Sequence, residues 1–211
     1  TYAFRFAYEP FIFAKNSDAD SKATYSNAMK YFVITTLFIF LIIIAYIDIF
    51  KLLLGPQYRE GIRIIPIVLM AYFLQGVMYN LSLWYKLVDK TMFGAWFSLI
   101  GFIVTLVINI VFIPIYSYMA SAWAALVSAV VMVVLSYVFG QKYYPIHYKL
   151  KTLGLYFGLT MLLLAAMYLV SFEWPVVNIL YRTILVAIYV AIVAWRELPL
   201  LRPKRVTKAN T

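Results

Sequence analysis

A stripe of polar side chains runs through an apolar segment between residues 72 and 90. On an α-helix, spacings of three and four residues place side chains on one face. The residues at these spacings are Tyr72, Gln75, Tyr79, Ser82 and Lys86. Their hydroxyl, amide and ammonium groups form hydrogen bonds, and a helix in lipid gains nothing from them unless they meet other helices or water. We therefore expect the stripe to face inward, either toward a neighbouring helix or toward a polar cavity.

A second candidate is the pair Arg5 and Glu9, which are four residues apart and therefore neighbours on a helix face. Charges at membrane depth are costly, so each one is a candidate for function. The guanidinium of Arg5 is suited to bidentate binding of a phosphate in a water-filled cavity. We favour a transport or substrate-binding role for this pair, and a purely structural ion pair is the alternative.

Two further charges inside or beside apolar runs have simpler explanations. Asp48 lies three residues before Lys51 near a predicted helix end, which predicts an ion pair at the membrane interface. Arg182 follows Asn178 by one helical turn, and Glu173 lies nearby in the sequence. We therefore expect Arg182 to have an interfacial or structural role.

Aromatic side chains near the polar stripe offer platforms of the kind on which sugar rings stack, namely Tyr79, Trp84 and Tyr85. Motifs for catalysis are missing: we find no phosphate-binding loop, no nucleophile elbow and no paired carboxylates beside a base. Cysteine is absent and His147 is the single histidine, so we expect no metal site. The sequence therefore predicts a protein that is not an enzyme and needs no cofactor.

Long apolar runs must position these residues. The chain is 65% hydrophobic and only 12% charged, with a mean hydropathy of +0.89, far above the composition of a soluble domain. Six runs each approach the ~20 residues that cross a bilayer. They are Tyr31–Phe50, Ile64–Tyr85, Met92–Ile113, Tyr118–Phe139, Leu150–Val170 and Trp174–Trp195. We predict an all-α integral membrane protein with about six full transmembrane helices plus the end of another.

The residues before the first run carry two expectations. Residues 1–14 read as the end of a helix whose beginning is missing, and residues 15–30 read as a polar loop that leads into an interfacial turn. The sequence also lacks an initiator Met. We therefore expect the chain to be the C-terminal part of a longer protein.

The net charge of +10 comes mainly from basic residues between the apolar runs, which favours membrane-flanking charge over a surface for nucleic acid. With alternating spans, thirteen Lys and Arg residues fall on one side of the membrane and three on the other. This asymmetry predicts a cytoplasmic C-terminus that includes the basic tail at 196–211.

Small residues predict where two helices approach closely. Ala120, Ala124 and Ser128 repeat every four residues, as do Ser121, Ala125 and Ala129, and Gly94 and Ser98 do the same on the preceding run. Such stripes are typical of tight packing between transmembrane helices. We expect the third and fourth runs to form an antiparallel hairpin.

Four segments carry a resemblance to a known family. They are AFRFAYEPFIFAK (3–15), NLSLWYKLVDKT (80–91), NIVFIPIYSYMASAWAAL (109–126) and FGQKYYPIHY (139–148). The chain resembles the C-terminal half of a polysaccharide-biosynthesis flippase of the O-antigen and capsule type, within the multidrug/oligosaccharidyl-lipid/polysaccharide exporter superfamily. Ser117 and Ala120 stand where that family often has glycines, so the turn geometry is expected to differ.

The resemblance implies a fold of two lobes in the bacterial inner membrane. Residues 1–140 would form most of the C-terminal lobe, residues 141–195 two additional spans, and the N-terminal lobe would be missing from this chain. It also implies alternating access, in which an undecaprenyl-pyrophosphate-linked oligosaccharide enters a central cavity lined by Arg5 and Glu9. The implied partners are this substrate, membrane lipids, and polysaccharide polymerase and glycosyltransferases.

Two alternatives remain open at this point. One is a drug or cation antiporter of the same fold, which a deeply buried acid such as Glu9 would favour. The other is an integral-membrane glycosyltransferase or ligase, against which the short outward loops and their few carboxylates argue.

Overall fold

The computed structural model describes residues 21–53, 55–170, 172 and 174–201. Arg5, Glu9, Glu173 and the tail after residue 201 lie outside the described residues. The described part of the chain contains no β-strand, and six of its helical segments are long and apolar enough to cross a membrane. The protein is therefore an all-α, multi-pass membrane protein, as the sequence predicted.

The helices follow the predicted runs. In chain order they are α1 (Ser21–Ala45), α2 (Ile47–Leu53), a 3-10 helix (Pro56–Ile64), α3 (Ile65–Leu81), α4 (Leu83–Leu87), α5 (Met92–Tyr116), α6 (Tyr118–Tyr143), α7 (Leu150–Leu169) and α8 (Pro175–Leu201). Five spans are single helices, and the second span combines the end of the 3-10 helix with α3 and α4.

The first spanning helix extends beyond its apolar run. Residues 21–30 are helical, so the prediction of a polar loop up to Lys30 was wrong over this segment. The Ser26 hydroxyl donates a hydrogen bond to the carbonyl of His147 at 2.8 Å, and the Lys30 ammonium bonds to Glu197. These partners lie 121 and 167 residues away in the sequence, so local hydropathy could not predict these contacts.

Helix α1 forms the centre of the main apolar core. Val33, Leu37 and Leu41 are buried and belong to a cluster with side chains of α3, α7 and α8. The Tyr189 hydroxyl on α8 donates a hydrogen bond to the carbonyl of Ile34 at 3.0 Å. The two spans predicted as additional C-terminal helices therefore pack on α1.

Helices α5 and α6 pack closely along one another, as the hairpin prediction requires. Ser117 alone separates them, and its φ of 50° lies in the region that favours glycine. A serine in this conformation is strained by the order of 1–3 kcal/mol, which the surrounding packing must offset.

The close approach of the hairpin uses a different glycine from those predicted. The Ser128 hydroxyl on α6 donates a hydrogen bond to the carbonyl of Gly101 on α5 at 2.9 Å, and a Cβ on Gly101 would lie 3.1 Å from that hydroxyl oxygen. The buried stripe on α6 is the first predicted one, Ala120, Ala124 and Ser128. Ser98 is exposed, and the atoms nearest to a Cβ on Gly94 would be those of the Tyr85 ring.

Basic residues gather at one end of the bundle. The Lys22 ammonium at the start of α1 lies 4.6 Å from the ring centroid of Tyr144, and the Lys90 ammonium after α4 lies 3.8 Å from that of Tyr143. Lysines from the start of the first span and the end of the second therefore meet the end of α6, as the alternating order of spans requires.

An ion pair at the opposite end differs from the predicted one. Asp48 Oδ2 accepts a hydrogen bond from Arg182 Nη1 at 2.7 Å, whereas the sequence predicted that Asp48 pairs with Lys51. The same Arg182 nitrogen lies 3.4 Å from the carbonyl oxygen of Ala45. The local prediction was wrong because α8 brings Arg182 beside the junction of α1 and α2, across 134 residues of sequence.

Candidate functional site

Two of the predicted stripe residues, Tyr72 and Gln75, line one groove between α3 and α6. The groove has a volume of about 250 Å³. Its walls combine small, apolar and polar side chains: Val68, Ala71, Tyr72, Gln75, Ala125, Ser128, Ala129 and Met132. The structure therefore places part of the stripe on a concave surface of the helix bundle.

Small residues keep this groove open. Ala71 on α3 faces Ala125 and Ala129 on α6 across it, so short side chains leave space where larger ones would interlock. On another side of α3, a Cβ on Gly76 would lie 2.2 Å from the ring of Phe32. Gly76 thus allows α1 to pack tightly against α3 and fixes the wall that carries Gln75.

The polar groups of the groove differ in how they are satisfied. The Ser128 hydroxyl donates its hydrogen bond to the carbonyl of Gly101. Neither the hydroxyl of Tyr72 nor the amide of Gln75 has a hydrogen-bonding partner among the residues that the structure describes. Tyr72 is 58% exposed and Gln75 half-buried. Two hydrogen-bonding side chains in this groove are thus free to bind something else.

The free groups in the groove constrain what covers it. Moving an amide or hydroxyl from water into hydrocarbon without a hydrogen bond costs roughly 2–7 kcal/mol. Contact with acyl chains alone would therefore be unfavourable for Gln75 and Tyr72. The groove is more stable where it meets water, a polar ligand or a polar protein surface.

Tyr72 also borders a second groove, between α1 and α3. This groove has a volume of about 200 Å³ and is lined mainly by apolar side chains, with Thr36 of α1 as a further hydroxyl. The Tyr72 ring is thus a wall between two mainly apolar grooves on neighbouring faces of α3, each of which also contains a few hydrogen-bonding side chains. An amphipathic ligand could occupy both.

The other stripe residues are not in either groove. The Ser82 side chain is buried and its hydroxyl donates a hydrogen bond to the carbonyl of Tyr79 at 2.7 Å, while Tyr79 itself is half-buried. The half-buried Lys86 and Tyr85 lie on α4. Of the five predicted residues, Tyr72 and Gln75 line the groove between α3 and α6, and the other three lie further along α3 and α4.

Trp84 lies at the centre of an aromatic cluster, and the half-buried Tyr85 packs against it. Trp84 is 2% exposed, its ring stacks on Tyr143 at 5.8 Å between centroids, and its indole N–H donates a hydrogen bond to Ser136 at 3.3 Å. The Tyr85 ring packs on Trp84 at 5.4 Å. The expectation that Trp84 provides an aromatic platform was wrong, because its apolar faces are covered by other rings.

Sequence reasoning missed a buried ionic cluster at the basic end of the bundle. The Lys30 ammonium lies 2.5 Å from Glu197 Oε2, and the Tyr156 hydroxyl donates a hydrogen bond to Glu197 Oε1 at 2.9 Å. Lys30 is 3% exposed and Glu197 is 6% exposed. This cluster joins α1, α7 and α8. Lys30 and Glu197 lie just outside apolar runs and Tyr156 lies inside one, so the sequence did not indicate that these three residues are partners.

Comparisons with known proteins identify no relative. No protein-family model matches the chain, and searches of curated proteins and of solved structures found no match. Among the described residues, no group of three His, Asp or Glu side chains is close enough together to hold a metal ion.

Proposed function

We propose that this chain is part of a flippase that moves an undecaprenyl-pyrophosphate-linked oligosaccharide across the bacterial inner membrane by alternating access. The groove between α3 and α6 would line the substrate path. The observation that carries this proposal is that two hydrogen-bonding side chains, Tyr72 and Gln75, lie on a concave surface of an apolar bundle and have no hydrogen-bonding partner within the described part of the chain.

The chemistry of the groove suits an amphipathic substrate. Sugar hydroxyls can donate to and accept from the Gln75 amide and the Tyr72 hydroxyl. Val68 and Met132 in the same groove offer apolar contact, which suits the isoprenoid part of a lipid-linked sugar. Arg5, which lies outside the described residues, remains the candidate for binding the pyrophosphate, and Glu9, also outside them, would line the same cavity. The C-terminus would lie on the cytoplasmic side.

A bulky side chain in the groove tests the proposal. The Ala125→Trp variant places an indole where Ala125 lines the groove, whereas Ser121→Trp places the same indole one turn earlier on the exposed surface of α6. In proteoliposomes of the full-length protein with a fluorescent lipid-linked oligosaccharide, we expect Ala125→Trp to slow translocation at least about tenfold. The matched Ser121→Trp variant should remain close to the parent.

Equal translocation rates in the two tryptophan variants would remove the groove from the substrate path. Export of an organic cation driven by a proton gradient, with no movement of the oligosaccharide lipid, would instead favour the antiporter alternative.

A further inference from the structure

A second concave site lies at the basic end of the bundle, between the first turns of α1 and the loop that joins α6 to α7. It has a volume of about 260 Å³. The side chains that line it are mostly polar or basic: Lys22, Ala23, Ser26, Asn27, His147 and Lys149. This pocket is separate from the groove between α3 and α6.

The loop wall of the pocket is held in place by specific contacts. The Ser26 hydroxyl donates to the carbonyl of His147 at 2.8 Å, and the Gln141 amide donates to the carbonyl of Ile146 at 2.8 Å. Ile146 is 1% exposed and packs with Tyr25 in a small apolar cluster. The pocket is therefore built by the fold and does not depend on a chance arrangement of surface side chains.

The charge of the pocket is positive. Within the part of the chain that the structure describes, neither Lys22 nor Lys149 forms an ion pair with a carboxylate. The Lys149 ammonium donates a hydrogen bond to Asn27 Oδ1 at 2.9 Å across the pocket. Burial raises the pKa of the neighbouring Tyr148 phenol, so that side chain adds no negative charge at neutral pH.

We propose that this pocket binds the phosphate group of an anionic phospholipid. The two lysine ammonium groups would contact the phosphate oxygens. The amide N–H groups of Asn27, which have no acceptor among the described residues, can donate to the same anion. The pocket lies where α1 and α7 begin, just outside the apolar run of α1, so in a bilayer it would lie at the level of the head groups. Basic pockets between transmembrane helices at this level are typical binding sites for anionic head groups.

Lipid binding by the purified full-length protein tests this site. Native mass spectrometry with phosphatidylglycerol and phosphatidylcholine should show a preference for the anionic lipid. Loss of both lysines in Lys22→Ala/Lys149→Ala should weaken phosphatidylglycerol binding about thirtyfold. The control Lys142→Ala/Lys151→Ala removes two exposed lysines at the same end that do not line the pocket, and it should bind as the parent does.

Two further variants keep the test decisive. Lys22→Arg/Lys149→Arg retains the positive charge and should retain lipid binding. Lys22→Gln/Lys149→Gln removes the charge and should lose lipid binding, as the alanine variant does. Both lysines are exposed, so all of these variants should fold. If the pocket and control variants lost phosphatidylglycerol binding equally, the lipid would bind to a diffuse basic surface and not to this pocket. Competition by inorganic phosphate with no preference for phosphatidylglycerol would overturn its assignment to a lipid.

Discussion

Two polar regions of this helix bundle differ in whether their hydrophilic side chains are hydrogen-bonded within the protein. In the cluster of Lys30, Tyr156 and Glu197, both carboxylate oxygens are bonded and all three side chains are buried. In the groove between α3 and α6, Tyr72 and Gln75 have no hydrogen-bonding partner among the described residues and are open to the outside. In the first region the polar groups bond to one another, whereas in the second they are available to bind water or a ligand.

This difference separates a structural role from a functional one. An isolated charge in a medium of low dielectric is very unfavourable, so a buried pair persists only with good geometry and additional hydrogen bonds. The ionic cluster meets both conditions, and its residues join α1, α7 and α8. The groove contains neutral polar groups that are not fully buried and have no partner among the described residues, which is why we assign ligand binding to the groove and helix docking to the cluster.

Breaking the ionic cluster should have the largest effect on stability. In Glu197→Gln, Lys30 remains buried without its counter-charge, and we expect a loss of about 3–5 kcal/mol in the free energy of unfolding. Thermal unfolding of the purified protein in detergent would measure the change.

A double variant separates loss of the pair from loss of packing at the cluster. Lys30→Met/Glu197→Leu removes both charges, and it should recover most of the stability lost in Glu197→Gln. If Glu197→Gln unfolded at the same temperature as the parent, the ionic cluster would not stabilise the helix bundle as we assign.

The wall of the groove should be sensitive to a single methyl group. In Gly76→Ala the new Cβ would lie 2.2 Å from the buried Phe32 ring, and overpacking of this kind costs about 1–3 kcal/mol. Gly158→Ala is the matched control on α7, because nothing lies within 4 Å of a Cβ there, and it should be neutral or stabilising by up to about 1 kcal/mol. Comparable unfolding midpoints for the two variants would show that α1 and α3 are not tightly packed at Gly76.

Removing the free amide of the groove should have the smallest effect on stability. Gln75→Leu deletes a polar group that has no partner among the described residues, so we expect a change within about 0.5 kcal/mol. The same variant should translocate the lipid-linked oligosaccharide more slowly. A large destabilisation without a change in transport would reverse the roles that we assign to the groove and the cluster.

The sequence predicted those parts of the fold that depend on local composition. The six spans follow from apolar runs near the thickness of a bilayer, and the tight hairpin of α5 and α6 follows from the small residues at 120, 124 and 128. Tyr72 and Gln75 share a groove because they lie on one turn of a single uninterrupted helix.

Features that depend on distant segments were not predictable. The pairs Lys30–Glu197 and Arg182–Asp48 join residues 167 and 134 positions apart, and a single sequence with several charges near span ends does not specify which of them meet. Trp84 was misjudged for the same reason, since the rings that cover it come from α5 and α6. Helical spacing assigns a face to a side chain, but the neighbouring helices decide whether that face is open.

The accessibility of Gln75 tests the central claim most directly. The chain contains no cysteine, so Gln75→Cys introduces one thiol in the groove, and Phe102→Cys introduces one on α5 at a residue that is 60% exposed. In a background without other cysteines, a hydrophilic maleimide should label Gln75→Cys much faster than Phe102→Cys, and the lipid-linked oligosaccharide should slow that labelling. A Gln75→Cys thiol as unreactive as that of Phe102→Cys, or labelling that the oligosaccharide leaves unchanged, would contradict the account.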